Sequence, residues 1–278
     1  MQTMYKLIES FTASKHKNGN NIINEDSIFD NEYYGVISDG ATTLQGSTID
    51  GLSPGKTAST LTVNYFKTAS PDITFYEAIA DLESIFQDWY KQHSSIFNDR
   101  ITTSSVILNK KRNELWFLGD CSALVDDTLY CYNKEIDNLT TNLRVYTILN
   151  AIKEGTTTYE ECMNHDIGRD IITPIINKQQ QFQNDNGSSK FSYGVLDGYP
   201  TLQRDIHVVK LDDSIKSIIL TSDGYPIIEK TLQDTELKLA SILKEDPLMI
   251  GKYATTKGLT DDKVSYDDRS YLRYEIVK

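Results

Sequence analysis

Two apolar runs in this chain end in the same three residues. "YYGVISDGAT" carries Tyr33 to Ser38 into Asp39-Gly40, and "IILTSDGYP" carries Ile218 to Ser222 into Asp223-Gly224. A short, almost unbroken apolar run bounded by a turn dipeptide is the pattern of a buried strand. Either ending taken singly is a turn, because Asp-Gly is a common turn dipeptide. The pair constrains more. It requires two strands, far apart in sequence, that both stop at a carboxylate followed by a residue without a Cβ.

The remaining pattern says how such strands are assembled. "MYKLIESFTAS" alternates like a strand. "SPGKTASTLTVNYFKTAS" predicts a helix with Ser53 as N-cap and Pro54 in the first turn, and with Ala58, Leu61 and Tyr65 on one face. In "TFYEAIADLESIFQDWYKQHS" the residues Phe75, Ala78, Ile79, Leu82, Ile85, Phe86 and Trp89 follow the 3.6-residue period, which marks a core-facing helix. The block from Thr102 to Asn133 reads as three or four strands with "NKKRN" as its first hairpin turn. From about Glu135 to Lys178 the pattern is helical, with a break expected at Pro174, and "NKQQQFQNDNGSS" reads as a polar surface loop. Strands return in "FSYGVLDG", "RDIHVVKLD" and "IKSIILTSDG". A helix follows around "DTELKLASILKED", and "KVSYDDRSYLRYEIV" predicts a loop feeding a last strand. Strands mostly adjoin strands, and strict strand–helix–strand alternation is absent. That favours antiparallel sheets covered by helices over a doubly wound parallel sheet.

Composition excludes several function classes. With 278 residues and 39% hydrophobic content the chain can bury a large core. The net charge of -12 repels a nucleic-acid backbone and suits hard cations. Three cysteines without a CxxC argue against a disulfide framework or a thiolate zinc site. No stretch is apolar enough for a membrane span or a signal peptide, so a cytoplasmic location is expected.

Five acidic positions stand at the ends of the predicted strands: Glu25-Asp26 in "NIINEDSIF", Asp39, Asp120 in "WFLGDCSAL", Asp223, and Asp267-Asp268 in "SYDDRSYL". Carboxylates meeting at one sheet rim repel each other unless cations compensate. Mg²⁺ and Mn²⁺ prefer such oxygen ligands. Two ions ~3.5–4 Å apart hold a hydroxide in line for attack on phosphorus. Periodicity alone does not show that these carboxylates meet; an acidic β-rich protein in which they stay apart remains an alternative.

In order and context these segments resemble the motifs of the metal-dependent type 2C protein Ser/Thr phosphatases (the PPM superfamily), in a divergent bacterial form. "NEDSIF", "VISDGAT", "TTSSVIL", "FLGDCSALV", "ILTSDGY" and "DDRSYL" follow one another as that family's motifs do, across residues 5 to 276. The resemblance implies an α+β fold, a four-layer α-β-β-α sandwich with two mostly antiparallel sheets flanked by helix pairs. It implies one catalytic domain over residues 1–278 with a variable helical and loop insertion at about 135–190. It implies two Mg²⁺ or Mn²⁺ ions. Asp26 serves one, Asp39 bridges both with the Gly40 carbonyl, Asp223 and Asp267 complete the site, and Asp120 contributes to a third ion. Glu25 holds metal-bound water, so Glu25 and Asp39 are the catalytic pair. The substrate implied is a phosphoserine or phosphothreonine protein, with a cognate Ser/Thr kinase as partner. An alternative is a phosphatase-like binding or regulatory module without turnover.

The chain departs from the family pattern in four places. Where many members carry a phosphate-clamping arginine, this chain has the region of Asn21, and Lys17 is the nearest base. Lysine lacks the bidentate fork of arginine. Ala41 stands where some members have histidine, "GDCSA" replaces a Gly-Asp-Ser-Arg stretch, and "GYPII" after Asp223 supplies no further acid. Among the other candidates, His207 is expected to be a strand residue, Cys121 a buried thiol, and Arg169 part of a local ion pair with Asp166 or Asp170.

Overall fold

The computed structural model of the chain describes residues 4–17, 24–42, 48–93 and 100–277. The region of Asn21 lies outside them. The apolar runs form strands, as their composition demands: β1 (Met4–Ala13), β2 (Ser27–Asp30), β3 (Tyr34–Gly40), β4 (Thr103–Asn109), β5 (Glu114–Leu118), β6 (Ser122–Val125), β7 (Thr128–Tyr130), β8 (His207–Lys210), β9 (Ser217–Thr221) and β10 (Arg269–Val277). They make two five-stranded sheets in the orders β1-β10-β9-β6-β7 and β2-β3-β4-β5-β8, with every pairing antiparallel.

The sheets face each other. Ile37, Val106, Leu115 and Phe117 of one interdigitate with Ala123, Ile218, Leu220 and Leu272 of the other. The opposite face of the β3-containing sheet is covered by α1 (Pro54–Phe66) and α2 (Phe75–His93). Trp116 stacks on Phe75 there, with ring centroids 5.1 Å apart. Ser53 caps α1, its hydroxyl accepting from the Lys56 amide at 3.1 Å, with Pro54 at the first position. The periodic face of α2 is the buried one: Phe75, Ala78, Ile79, Leu82 and Phe86 are enclosed, with Ile85 and Trp89 at its edge. On the outer face of the other sheet lies α6 (Leu232–Glu245), which sets Leu239, Ile242 and Leu243 against Ile219 and Tyr271. The layers run helix, sheet, sheet, helix, the α+β sandwich expected.

Between β7 and β8 the chain forms α3 (Glu135–Glu154), α4 (Tyr159–Asn164) and α5 (Ile167–Ile176). The breaks fall at Gly155, which is left-handed with φ 72°, and at His165. Pro174 does not break the pattern but lies inside α5, where Ile172 and Gly168 are buried and the helix packs on α3. "FSYGVLDG" is not a regular strand. It makes only isolated bridges, Thr103 with Leu196 and Gln183 with Tyr193. The Asn184 side chain meets both the carbonyl and the amide of Val195, at 2.9 and 3.2 Å, and so occupies the groups a neighbouring strand would need. Among the described residues no helix is long and apolar enough to cross a membrane.

Candidate functional site

The acidic positions singled out from sequence all lie where strands stop at one rim of the sandwich. Asp26 precedes β2, Asp39 is the penultimate residue of β3, and Asp120 sits where the chain crosses from β5 to β6. Asp223 follows β9, and Asp267 precedes β10. Asp39, Asp120, Asp223 and Asp267 line one recess of about 100 Å³, beside a larger cleft of about 620 Å³ that Asp120, Asp223 and Asp267 also line. The two glycines after the paired aspartates are required by close backbone approach. A Cβ on Gly40 would stand 2.2 Å from the Gly55 carbonyl oxygen at the start of α1, and one on Gly224 would stand 2.1 Å from that of Asp268. Both strand ends are thus clamped against neighbouring main chain, which fixes the carboxylates just before them.

Asp26 is almost fully enclosed. Its Oδ2 accepts hydrogen bonds from the hydroxyls of Ser222 (2.8 Å) and Ser270 (2.7 Å), while the buried Oδ1 has no partner. Burial pushes its pKa up to about 7, against the two serine hydroxyls. Asp223, an exposed residue at the rim, is likewise raised, to about 7, first by desolvation of its carboxylate and then by Asp267 and Asp120; its side chain shares a hydrogen bond with Asp39. Burial, followed by the charges of Asp26 and Asp223, lifts Asp39 well above the usual carboxylate range. In all three, burial reinforced by neighbouring carboxylates favours the protonated form.

The other two carboxylates already have cations. Burial opposes ionisation of Asp267, but the ammonium groups of Lys257 and Lys15 overcome it and hold the acid down at about 2. Lys257 Nζ is in contact with Asp267 Oδ2, and Lys15 Nζ lies 3.3 Å from Oδ1. Lys15 is itself buried, within 3.6 Å of Glu25 and 3.5 Å of Asp268, and donates to the Thr42 hydroxyl at 2.9 Å. Asp120 pairs with Lys134 at 2.6 Å, and that ammonium also lies 5.3 Å over the Tyr193 ring. Glu25 does not line the recess. Its carboxylate accepts from the hydroxyls of Ser53 (2.7 Å) and Thr42, tying the start of α1 to Lys15. Asp268 holds the main chain, accepting from the amides of Lys15 (2.8 Å) and Glu25 (3.0 Å).

Lys17, expected near the substrate, bonds the Asp261 carbonyl through Nζ and the Asp262 carbonyl through its amide, and it lines neither cavity. Cys121 is a buried thiol, raised by burial and by Asp39. His207 is a β8 residue stacked on Tyr132 at 3.7 Å. Arg169 does not make the local ion pair expected; its guanidinium donates to the Thr256 carbonyl at 2.9 Å. Arg144 takes Asp166, and His165 takes Asp170. Sequence reasoning missed Lys15, Lys134 and Lys257. Only Lys134 left a local sign, standing at the N-cap of α3, where the helix dipole disfavours a cation.

Among the described residues no three His, Cys, Asp or Glu side chains stand close enough to grip an ion at once. The donor set still suits a hard divalent ion, which keeps several waters and needs only one or two carboxylates. Asp39 and Asp223 share a hydrogen bond and make no direct ion pair among the described residues, although the Lys257 charge reaches Asp223; Asp26, whose buried Oδ1 has no hydrogen-bond partner, acts on Asp39.

No family sequence model matches the chain, and no curated protein matches it. Solved structures do. The serine/threonine phosphatase Stp1 from Staphylococcus aureus matches with a TM-score of 0.52 at 15% identity, over 99% of this chain and 96% of that one. PppA, described as a key regulatory component of T6SS in Pseudomonas aeruginosa, matches with a TM-score of 0.50 at 13% identity, over 99% of this chain and 100% of that one. The chain has the fold of these two proteins.

Proposed function

We propose that the chain is a divergent bacterial-type member of the type 2C phosphatases, a divalent-cation-dependent phosphomonoesterase acting on phosphoserine and phosphothreonine in proteins. One observation carries this reading: on a phosphatase fold, Asp39, Asp120, Asp223 and Asp267 line a single recess, with Asp26 enclosed beside them. Residues 1–278 form one catalytic domain, with 135–190 as its variable part. Asp39 and Asp223 would hold Mg²⁺ or Mn²⁺, assisted by the Gly40 carbonyl and the free oxygen of Asp26. Such an ion, when bound, supplies Lewis-acid polarisation of the phosphate and a water of lowered pKa.

The chain's own residues set the geometry. Thr103 Oγ1 donates to the Asp39 carbonyl at 2.6 Å and fixes the end of β3. The Ser222 and Ser270 hydroxyls orient Asp26. Lys134 and Lys257 line both the recess and the larger cleft, so an approaching phosphate dianion meets positive charge where the two spaces share walls. Glu25 positions Lys15 and the start of α1. The test is hydrolysis of a phosphoserine peptide in Mn²⁺. Activity is expected to vanish with EDTA, and Asp39→Asn is expected to lower kcat/KM by about 100-fold or more. Hydrolysis that persists in EDTA overturns the proposal.

A second reading, a phosphatase-like binding module, is favoured by the lysine partners of Asp120 and Asp267. It predicts cation binding or phosphopeptide binding without turnover in the same assay.

A further inference from the structure

We propose that Lys257 is a built-in cation of the acidic recess, which takes the place of a metal ion at Asp267 and confines the divalent ion to Asp39 and Asp223. The inference rests on the reading of the recess as a divalent-cation site. Each oxygen of Asp267 has its own ammonium group, Lys257 on Oδ2 and Lys15 on Oδ1. A divalent ion reaching Asp267 would have to displace one of them or stand beside a like charge. By contrast, no direct ion pair among the described residues involves the side chain of Asp26, Asp39 or Asp223, although the Lys257 charge also reaches Asp223 and lowers its proton affinity. Lys56, near Asp26, donates to its main-chain carbonyl instead. The buried Oδ1 of Asp26 has no hydrogen-bond partner, and the charge of Asp26 acts on Asp39.

The position of Lys257 is constructed. It sits on the loop between α6 and β10, and two arginines from the α3–α5 segment hold that loop by its carbonyls. Fully buried Arg144 of α3 donates to Thr255 (3.0 Å), Met249 (3.3 Å) and Leu248 (2.8 Å), while Arg169 of α5 donates to Thr256 (2.9 Å). Thr255 Oγ1 bonds the Lys257 carbonyl itself. On the far side, a Cβ on Gly258 would stand 2.7 Å from the Leu248 carbonyl oxygen, so the loop lies directly against its neighbour. Asp166 fixes Arg144 in turn, at 2.7 Å. Main chain on both sides of Lys257 is thereby held by hydrogen bonds and close packing, and its ammonium contacts Asp267 Oδ2. A function for the helical segment follows: it carries the scaffold that sets how many ions the rim accepts.

The test is Mn²⁺ binding to the full chain, counted by calorimetry and by the electron paramagnetic resonance signal of free Mn²⁺. Wild type is expected to take one equivalent. Lys257→Met removes the charge and is expected to add a second equivalent, or to tighten binding at least 10-fold. Lys257→Arg keeps the charge and is expected to behave as wild type, with thermal melting of each variant confirming the fold. Two equivalents in wild type, or the same single equivalent and affinity in Lys257→Met, would overturn the role of Lys257 and leave the divalent-cation site standing. Absence of Mn²⁺ binding in both wild type and Lys257→Met would overturn the cation site itself, and the inference with it.

Discussion

Asp26, Asp39 and Asp223 are held in the folded state with proton affinities above that of an ordinary carboxylate, and this has a measurable sign. Their unfolded value is 3.8, and the folded values of Asp26 and Asp223 are about 7. Between those values the folded state binds more protons than the unfolded one, so stability falls as pH rises through the window. Metal-free protein is therefore expected to melt higher at pH 5.5 than at pH 8, and saturating Mn²⁺ should flatten or reverse that slope. A melting temperature that climbs from pH 5.5 to 8 in EDTA would contradict this. Asp39→Asn removes one of the repelling charges and is expected to stabilise the metal-free protein at pH 8 by about 1 kcal/mol while abolishing its response to Mn²⁺. Gly224 belongs to the same scale. Alanine there places a methyl group against a main-chain oxygen that cannot swing away, and a loss of about 2 kcal/mol or more is expected in urea denaturation.

At the scale of elements, periodicity carried most of the information. The stripe of α2 and the Ser53-Pro54 start of α1 were legible because local rules of burial and capping decide them. "FSYGVLDG" was misread as a strand because nothing in that stretch reveals that the Asn184 side chain will occupy the polar groups of Val195. Pro174 was misread as a helix break because the packing of α5 on α3 outweighs one lost main-chain bond near a helix end. α3 itself has a role no pattern announced. Arg144 is fully buried and joins Asp166 to the carbonyls of Leu248, Met249 and Thr255. Arg144→Met strands the Asp166 carboxylate and these carbonyls; a loss of about 3–5 kcal/mol is expected in chemical denaturation, as for other broken buried pairs.

At the scale of the whole molecule, the two sheets bring together strand ends that are distant in sequence, and the rim they share gathers five aspartates, of which only Asp120 and Asp267 are directly paired with lysines. An ion that binds only the folded rim must stabilise the fold by mass action, by about 2.7 kcal/mol at 100 times its Kd. Saturating Mn²⁺ is expected to raise the melting temperature by several degrees, and EDTA to remove the gain. The sequence by itself determined the strands that end in Asp-Gly, the antiparallel layering, the helix faces and the acidic residues at the strand ends. Those follow from hydrophobic period, capping and turn chemistry, which act over a few residues. Only the tertiary structure decided the company those carboxylates keep. Lys15, Lys134 and Lys257 reach them from a strand end, a helix start and a loop. Charge pairing depends on distance in space, and no spacing in the chain encodes it. The two Ser-Asp-Gly endings were legible from the outset; that Asp267 is directly paired with two lysines, while Asp39 and Asp223 bond each other, was settled only by the fold.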